Sequence, residues 1–378
     1  MKYKLQDIVD VTMGQSPKSE FYNNDGEGVP FLQGNRTFGF KYPTFDTFTT
    51  MVTKEAKAGD VIMSVRAPVG DLNITPVDIC LGRGVCSLRM KNGNQEFLYY
   101  MMKYYIPQLI NKESGTVFGS VNRNDIIELE IDIPNDAEKQ GKISRFLSML
   151  DEKIQINNKI NNNLEQQAQA IFENEFLSLQ SLPDGWKLAS LIDIADYLNG
   201  LAMQKYRPST NEIGIPVLKI KELRQGCCDD NSEFCSPSIK SDYIIHDGDV
   251  IFSWSGSLLV DFWCGGICGL NQHLFKVSSS KYDKWFYYAW TKHHLDRFIA
   301  VAADKATTMG HIKRDELAKA EVFIPNEADY NRIGALLQPI YDLIISNRIE
   351  NKKLAETRDS LLPKLMSGEI DMSEVDYE

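Results

Sequence analysis

With 378 residues and a formal net charge of −11, this chain is long enough for two domains of ordinary size, and it has no stretch approaching the ~18 apolar residues of a membrane span. Its seven cysteines, an odd number scattered mostly through the second half, fit free thiols in a reducing compartment; with an amino terminus that leads straight into polar alternation, they point to an unexported, cytoplasmic protein. The acidic balance argues against a stand-alone nucleic-acid binder, yet residues 1–133, 134–182 and 183–325 each carry a net of only −2 while residues 326–378 carry −5, so the large modules are nearly neutral and open to a local basic face.

Residues 1 to about 133 are rich in Gly, Pro, aromatics and short β-branched runs such as Gly59-Asp60-Val61-Ile62-Met63-Ser64-Val65, which predicts short strands with long loops and some helix. From Glu138 to about Phe176 proline disappears and Ile143, Leu147, Leu150, Ile154, Leu164, Ala168 and Ile171 recur in a 3–4 alternation. That pattern predicts one helix of ~38 residues, roughly 57 Å long. The chain then restates itself. Leu5-Gln6-Asp7-Ile8 to Gly14 matches Leu191-Ile192-Asp193-Ile194 to Gly200, and Gly28-Val29-Pro30-Phe31-Leu32 matches Gly214-Ile215-Pro216-Val217-Leu218, both at an offset of 186. The offset grows to 189 at Gly59-Asp60-Val61 and Gly248-Asp249-Val250, and to 191 at Ile133-Pro134-Asn135 and Ile324-Pro325-Asn326, segments that should each end a strand and cap the next helix. A repeat this long is a duplicated domain rather than a solenoid unit.

The second helical pattern, Ile333, Leu337, Ile340, Ile344, Leu354 and Leu361, follows the first at an offset of 190. Both copies interrupt the apolar seam at matching places, Asn157 and Asn161 in one and Asn347 and Asn351 in the other. Buried Asn at a seam weakens packing but fixes register, so the matched pairs favour two helices packing on each other, antiparallel if the domains sit at opposite ends, over Asn on solvated faces. Pro339 should kink the second helix or mark its true start.

No catalytic constellation emerges: there is no phosphate-cradling Gly-x-x-x-x-Gly-Lys-Ser/Thr loop and no Gly-x-Gly-x-x-Gly nucleotide site, so no cofactor is expected. Pro183-Asp184-Gly185-Trp186-Lys187 lacks the second carboxylate a nuclease metal needs and reads as a turn before a strand. Cys264-Gly265-Gly266-Ile267-Cys268, with Cys227, Cys228 and Cys235, has a spacing zinc tolerates, but the first copy has no counterpart and buried thiols are the better reading, so no metal is expected. His293-His294 follows the aromatic run Trp285-Phe286-Tyr287-Tyr288, which matches Phe97-Leu98-Tyr99-Tyr100 and reads as core. Divergent polar loops between the matched strands remain: Gln33, Asn35 and Arg36 against Lys219 and Lys221; Ser64 and Arg66 against Ser253, Trp254 and Ser255; Arg83 against Asn271, Gln272 and His273; Asn122 and Arg123 against Lys313 and Arg314. Singly each is an ordinary loop residue. Together they supply the forked donors and acceptors that fit base edges and the short polar groups that suit phosphate, as two readers of different DNA sequences would.

Gly14-Gln15-Ser16-Pro17 with Val29-Pro30-Phe31-Leu32-Gln33-Gly34, the two Gly-Asp-Val turns, Gln167-Ala168-Gln169-Ala170-Ile171-Phe172 and Leu361-Leu362-Pro363-Lys364-Leu365-Met366-Ser367-Gly368-Glu369-Ile370 together resemble the DNA-specificity subunits of type I restriction-modification systems over essentially the whole chain. The resemblance implies an α+β chain of two similar mixed α/β target-recognition domains joined by two long antiparallel coiled-coil-like helices. The expected boundaries are residues 1–136, 137–182 for the central helical region, 183–326, and 327–378 for the C-terminal helical region with its acidic tail. It also implies a non-catalytic role, with double-stranded DNA, two methyltransferase subunits and restriction/translocase subunits as partners. Gly200-Leu201-Ala202-Met203 departs from the Gly-x-Ser-Pro pattern, which separates the two copies at that loop. The competing readings are a fused or stand-alone DNA-modifying enzyme and a scaffold that does not bind DNA.

Overall fold

A computed structural model describes residues 2–111, 119–304, 314–372 and 375. They divide into two compact units, residues 1–155 with 354–378, and residues 156–353. In the first unit the strands Val9–Met13, Val85–Met90, Val61–Ser64 and Leu72–Ile74 lie side by side in that order as an antiparallel sheet. A second sheet runs Tyr22–Asn23, Phe48–Thr49, Val29–Leu32, Ile79–Leu81, Glu55–Ala56, with Val29–Leu32 and Ile79–Leu81 parallel. Lys2–Lys4 pairs with Glu130–Asp132.

The second unit has the same order: Asp196–Asn199, Leu274–Ser278, Val250–Ser253, Leu259–Phe262 in one sheet, and Phe234–Cys235, Ile215–Leu218, Cys268–Leu270, Ile244–Ile245 in the other, again with one parallel pair. Lys187–Ser190 pairs with Glu321–Ile324. Pro183-Asp184-Gly185 forms the turn before that strand, as the sequence predicts.

The central strands are continuous apolar runs because both of their faces are covered. Val61 and Met63 face the core beneath the helix Gln95–Asn111, while Ile62 faces a smaller core with Leu32, Ile79 and Leu81. Val250 and Phe252 divide from Ile251 in the same way. The aromatic runs are core: Phe97 to Tyr100 are fully buried, and Trp285 to Tyr288 nearly so. His294 lies in that core, bonded through Nε2 to the carbonyl of Glu321 at 2.8 Å, and burial lowers its pKa to about 4.

Two glycine positions account for much of the legible repeat. Gly59 and Gly248 hold φ of +87° and +85°, which suits glycine, and the following aspartate in each accepts a backbone N–H from three residues upstream, Lys57 or His246, at 2.9 Å. At Gly14 and Gly200 a Cβ would lie 2.0 Å from the carbonyl oxygen of Gly82 and 2.2 Å from that of Asn271. A crossing of two backbones there excludes any side chain.

The central helix spans Ala137–Phe172 and closes in a wider turn, Glu173–Leu177; the C-terminal helix spans Glu327–Ser367. It runs through Pro339 unbroken, so that proline does not mark its start. Asn326 caps it, Oδ1 accepting from Asp329 N at 2.9 Å, but in the first copy Asp136 rather than Asn135 does this, accepting from Glu138 N at 2.9 Å. Asn135 instead accepts from the Tyr3 hydroxyl.

Within each unit the helix segments pack antiparallel. In the first, Asp151 meets Arg358 and Lys139 meets Asp371. In the second, Asn157 donates to Asn351 at 2.8 Å, Asn347 donates to Asn161 at 2.8 Å, and Arg332 forks onto Glu175 at 2.8 and 2.9 Å. The tail is not simply an acidic extension, because Ile370, Met372 and Val375 pack on the first core.

Candidate nucleic-acid interface

In the first unit a ladder of backbone hydrogen bonds stitches five loops into one rim. Gln15 N donates to Leu81 O (2.9 Å), Gly84 N to Gln33 O (3.0 Å), Val65 N to Gly84 O (2.9 Å), and Val121 N to Val65 O (3.0 Å). Gln33, Arg66, Arg83 and Arg123 therefore share an edge although they are up to 90 residues apart in sequence. All four are exposed, and among the described residues none of the three arginines forms an ion pair. Arg123 opens the short helix Arg123–Ile127.

The second unit repeats three rungs, the counterparts of Gln15 N to Leu81 O, Gly82 N to Leu32 O (2.8 Å) and Val65 N to Gly84 O. Leu201 N donates to Leu270 O (2.9 Å), Asn271 N to Leu218 O (3.2 Å), and Trp254 N to His273 O (3.4 Å). Its rim differs chemically. Lys219 is tied to Glu233, and exposed Lys221 pairs with Asp229 at 2.9 Å, which raises the ammonium's pKa. Half-buried Gln272 and His273 sit beside Trp254, whose ring is 6.0 Å from that of His273 and whose Nε1 donates to Asn199 at 2.9 Å. Arg314, exposed, reaches the carbonyl of Tyr197 at 3.4 Å. Lys313 lies outside the described residues.

Several expected contact residues already have partners within the fold. Ser64 and Ser253 are buried, and each hydroxyl donates at 2.8 Å to a carbonyl four residues on, Pro68 or Ser257, closing matched loops. Ser255 and Asn271 are buried as well. Asn122 is exposed, but its Oδ1 caps the helix Arg123–Ile127 by accepting from Asn124 N and Asp125 N. Asn35 donates to Asp71, and Arg36 pairs at 2.8 Å with Asp46, whose hydrogen bond raises the pKa of the guanidinium. Ser16 and Asn199 are rim residues that the loop comparison missed. Ser16 was visible only as part of a motif, with nothing in its spacing to say that it folds onto Gln33.

The rims offer hydrogen bonds and charge. Among the described residues no cluster of three His, Cys, Asp or Glu could hold a metal. Burial raises the Cys228 and Cys264 thiols to about 11, as buried thiols behave.

A family model described as the type I restriction modification DNA specificity domain matches residues 1–166 and again residues 183–356. The chain belongs to this family of type I DNA-specificity proteins. The MjaIX specificity subunit of Methanocaldococcus jannaschii is 25% identical over 98% of this chain and 94% of its own length. The putative MjaX specificity subunit of the same organism is 37% identical over 41% of this chain and 37% of its own length. The solved S subunit of a type I system from M. genitalium superposes with a TM-score of 0.57 at 16% identity, covering 99% of this chain and 96% of that one, which supports a shared fold. The α+β architecture of two similar mixed α/β domains with two long antiparallel helices is thus that of a specificity protein, and among the described residues no helix is long and apolar enough to cross a membrane.

Proposed function

We propose that this chain is the sequence-specific DNA-binding subunit of a cytoplasmic type I restriction-modification complex and is itself non-catalytic. Residues 1–136 read one half of a bipartite, asymmetric double-stranded target and residues 183–326 the other. The helical regions 137–182 and 327–378 space the two readers and dock two methyltransferase subunits, through which restriction/translocase subunits join.

One observation carries this reading: the same loop ladder is built twice, and matched positions on it bear unmatched polar groups, Gln33 against Lys219 and Arg83 against Gln272. Two copies of one reader would carry the same side chains, and two unrelated functions would not need the same backbone. Arg, Gln and Lys are the groups that distinguish base edges in the major groove. Because each module is nearly neutral, the partner subunits supply much of the phosphate attraction.

The test is a domain exchange in the assembled complex, read by methylation-sensitive sequencing of host DNA. Replacing residues 1–136 with the corresponding domain of a relative should change one half of the modified motif and leave the other half and the gap intact. A change in both halves, or in neither, would refute the modular reading.

A further inference from the structure

The loop Gln15-Ser16-Pro17 is held from several sides. Gln15 N bonds Leu81 O, the Thr53 hydroxyl donates to Gln15 O, and the Tyr22 hydroxyl donates to Pro17 O at 2.8 Å. Ser16 is fixed in turn: its Oγ accepts from the backbone N–H of Arg83 at 3.1 Å and its hydroxyl donates to Gln33 Oε1 at 2.9 Å. The serine thus holds the Gln33 side chain against the backbone of Arg83, and both residues line a groove of about 730 Å³ with Gln15, Tyr22 and Phe31. The rings of Tyr22 and Phe31 lie 4.7 Å apart in its wall, tilted by 31°.

A free glutamine amide offers a donor and an acceptor side by side, the pattern that matches adenine N7 and N6. Here the acceptor is turned inward to Ser16, and Nε2 bonds no described residue. Arg83 lines the same groove, and a guanidinium carries donors alone, so these two side chains offer donors to it. Guanine is the base whose major-groove edge answers with two acceptors, N7 and O6, whereas adenine would set its N6 amino group against a donor. The second copy has Ala202 where the first has Ser16, and Lys219 bound to Glu233 where the first has Gln33, so the device belongs to one half.

We propose that Ser16 is a positioning residue that makes residues 1–136 demand guanine at one position of their half-site, by locking the Gln33 amide with its donor outward. This rests on the reading of residues 1–136 as a DNA reader. The experiment co-expresses the full chain with its methyltransferase partner and compares the motifs modified in cells. Wild type should show guanine fixed at one position of the half that follows residues 1–136. Ser16→Ala, which frees the amide to rotate, should admit adenine there, relaxing discrimination by roughly tenfold, while every other position holds. Ser16→Thr, which keeps the hydroxyl, should retain guanine. Gln33→Glu keeps the link to Ser16 but offers an acceptor, and should convert that position to cytosine, whose N4 amino group donates. An unchanged motif in both Ser16→Ala and Gln33→Glu, a uniform loss of modification at all positions, or a change in the other half would overturn the proposal. A wild-type complex whose motif has no half that follows residues 1–136 would instead overturn the DNA-reader reading beneath it.

Discussion

At the scale of single residues, what decides a role is how many of a side chain's hydrogen-bonding groups the fold has already used. His294 is a measurable case. In the folded chain burial holds its pKa near 4, whereas an unfolded histidine titrates near 6.5. Between those values the unfolded chain takes up a proton that the folded chain refuses, so this residue's contribution is intact above pH 6.5 and is lost as pH falls toward 4. His293 shifts in the same direction for the same reason. Thermal melts at pH 7 and pH 5 should therefore show a smaller loss on acidification for His294→Gln, which can still donate to the Glu321 carbonyl, than for wild type; equal losses would show that His294 is not the group responsible. The same accounting explains where residue type misleads. Serine suits phosphate in general, but the hydroxyls of Ser64 and Ser253 are consumed by the carbonyls of Pro68 and Ser257. A loop alignment records the identity of a residue and not the partner already holding it. The exposure of Arg66, Arg83 and Arg123 was legible for the complementary reason: a long cation on a tight loop has few ways to be buried.

At the scale of elements, the duplication was readable because both copies share backbone constraints: the Gly14 and Gly200 crossings leave no room for a side chain, and the Gly59 and Gly248 turns hold a positive φ that favours glycine. The apolar seams were readable from their period. What the period could not show is that the two copies solve one packing position differently. Asp151 and Tyr341 stand 190 residues apart at equivalent places, as do Arg358 and Ala168. In the second unit Tyr341 and Ala168 belong to the apolar core. In the first unit Asp151 is fully buried, bonded to Arg358 Nη1 at 2.5 Å and to the Tyr100 hydroxyl at 2.6 Å, while Arg358 also forks onto Asp359. A buried pair of this kind adds little net stability but is costly to halve. Asp151→Ala should destabilise the chain by about 3 kcal/mol in chemical denaturation, because it leaves Arg358 Nη1 and the Tyr100 hydroxyl without their buried acceptor, and Arg358→Met in the same background should recover part of that loss. If the double variant is as unstable as Asp151→Ala alone, the two charges are not coupled and the cost lies in packing.

At the scale of the whole molecule, the proposed spacer role makes helix length a property of the DNA target. The boundary between compact units cuts the central helix after Gln155 and the C-terminal helix after Lys353, points that fall at matching places in the antiparallel register. Leu164 packs against the second unit's core, so lengthening the central helix there would disturb a domain; the boundary avoids that. Seven residues inserted after Gln155, with seven more after Lys353, keep the seam facing inward, since a heptad turns the helix by almost two full turns. The insertion adds roughly 10 Å at 1.5 Å per residue, about three base pairs at ~3.4 Å per step. The motif modified by the assembled complex should keep both half-sites and gain about three unread positions between them. Inserting in one helix alone should abolish assembly, because the register that pairs Asn157 with Asn351 and Asn161 with Asn347 is then no longer the one that pairs Asp151 with Arg358, and one of the two sets is left buried without its partners. A doubly extended chain that folds, assembles and modifies DNA with the original gap would show that the helices do not set the distance, and that the spacing is imposed on the two readers by the subunits around them.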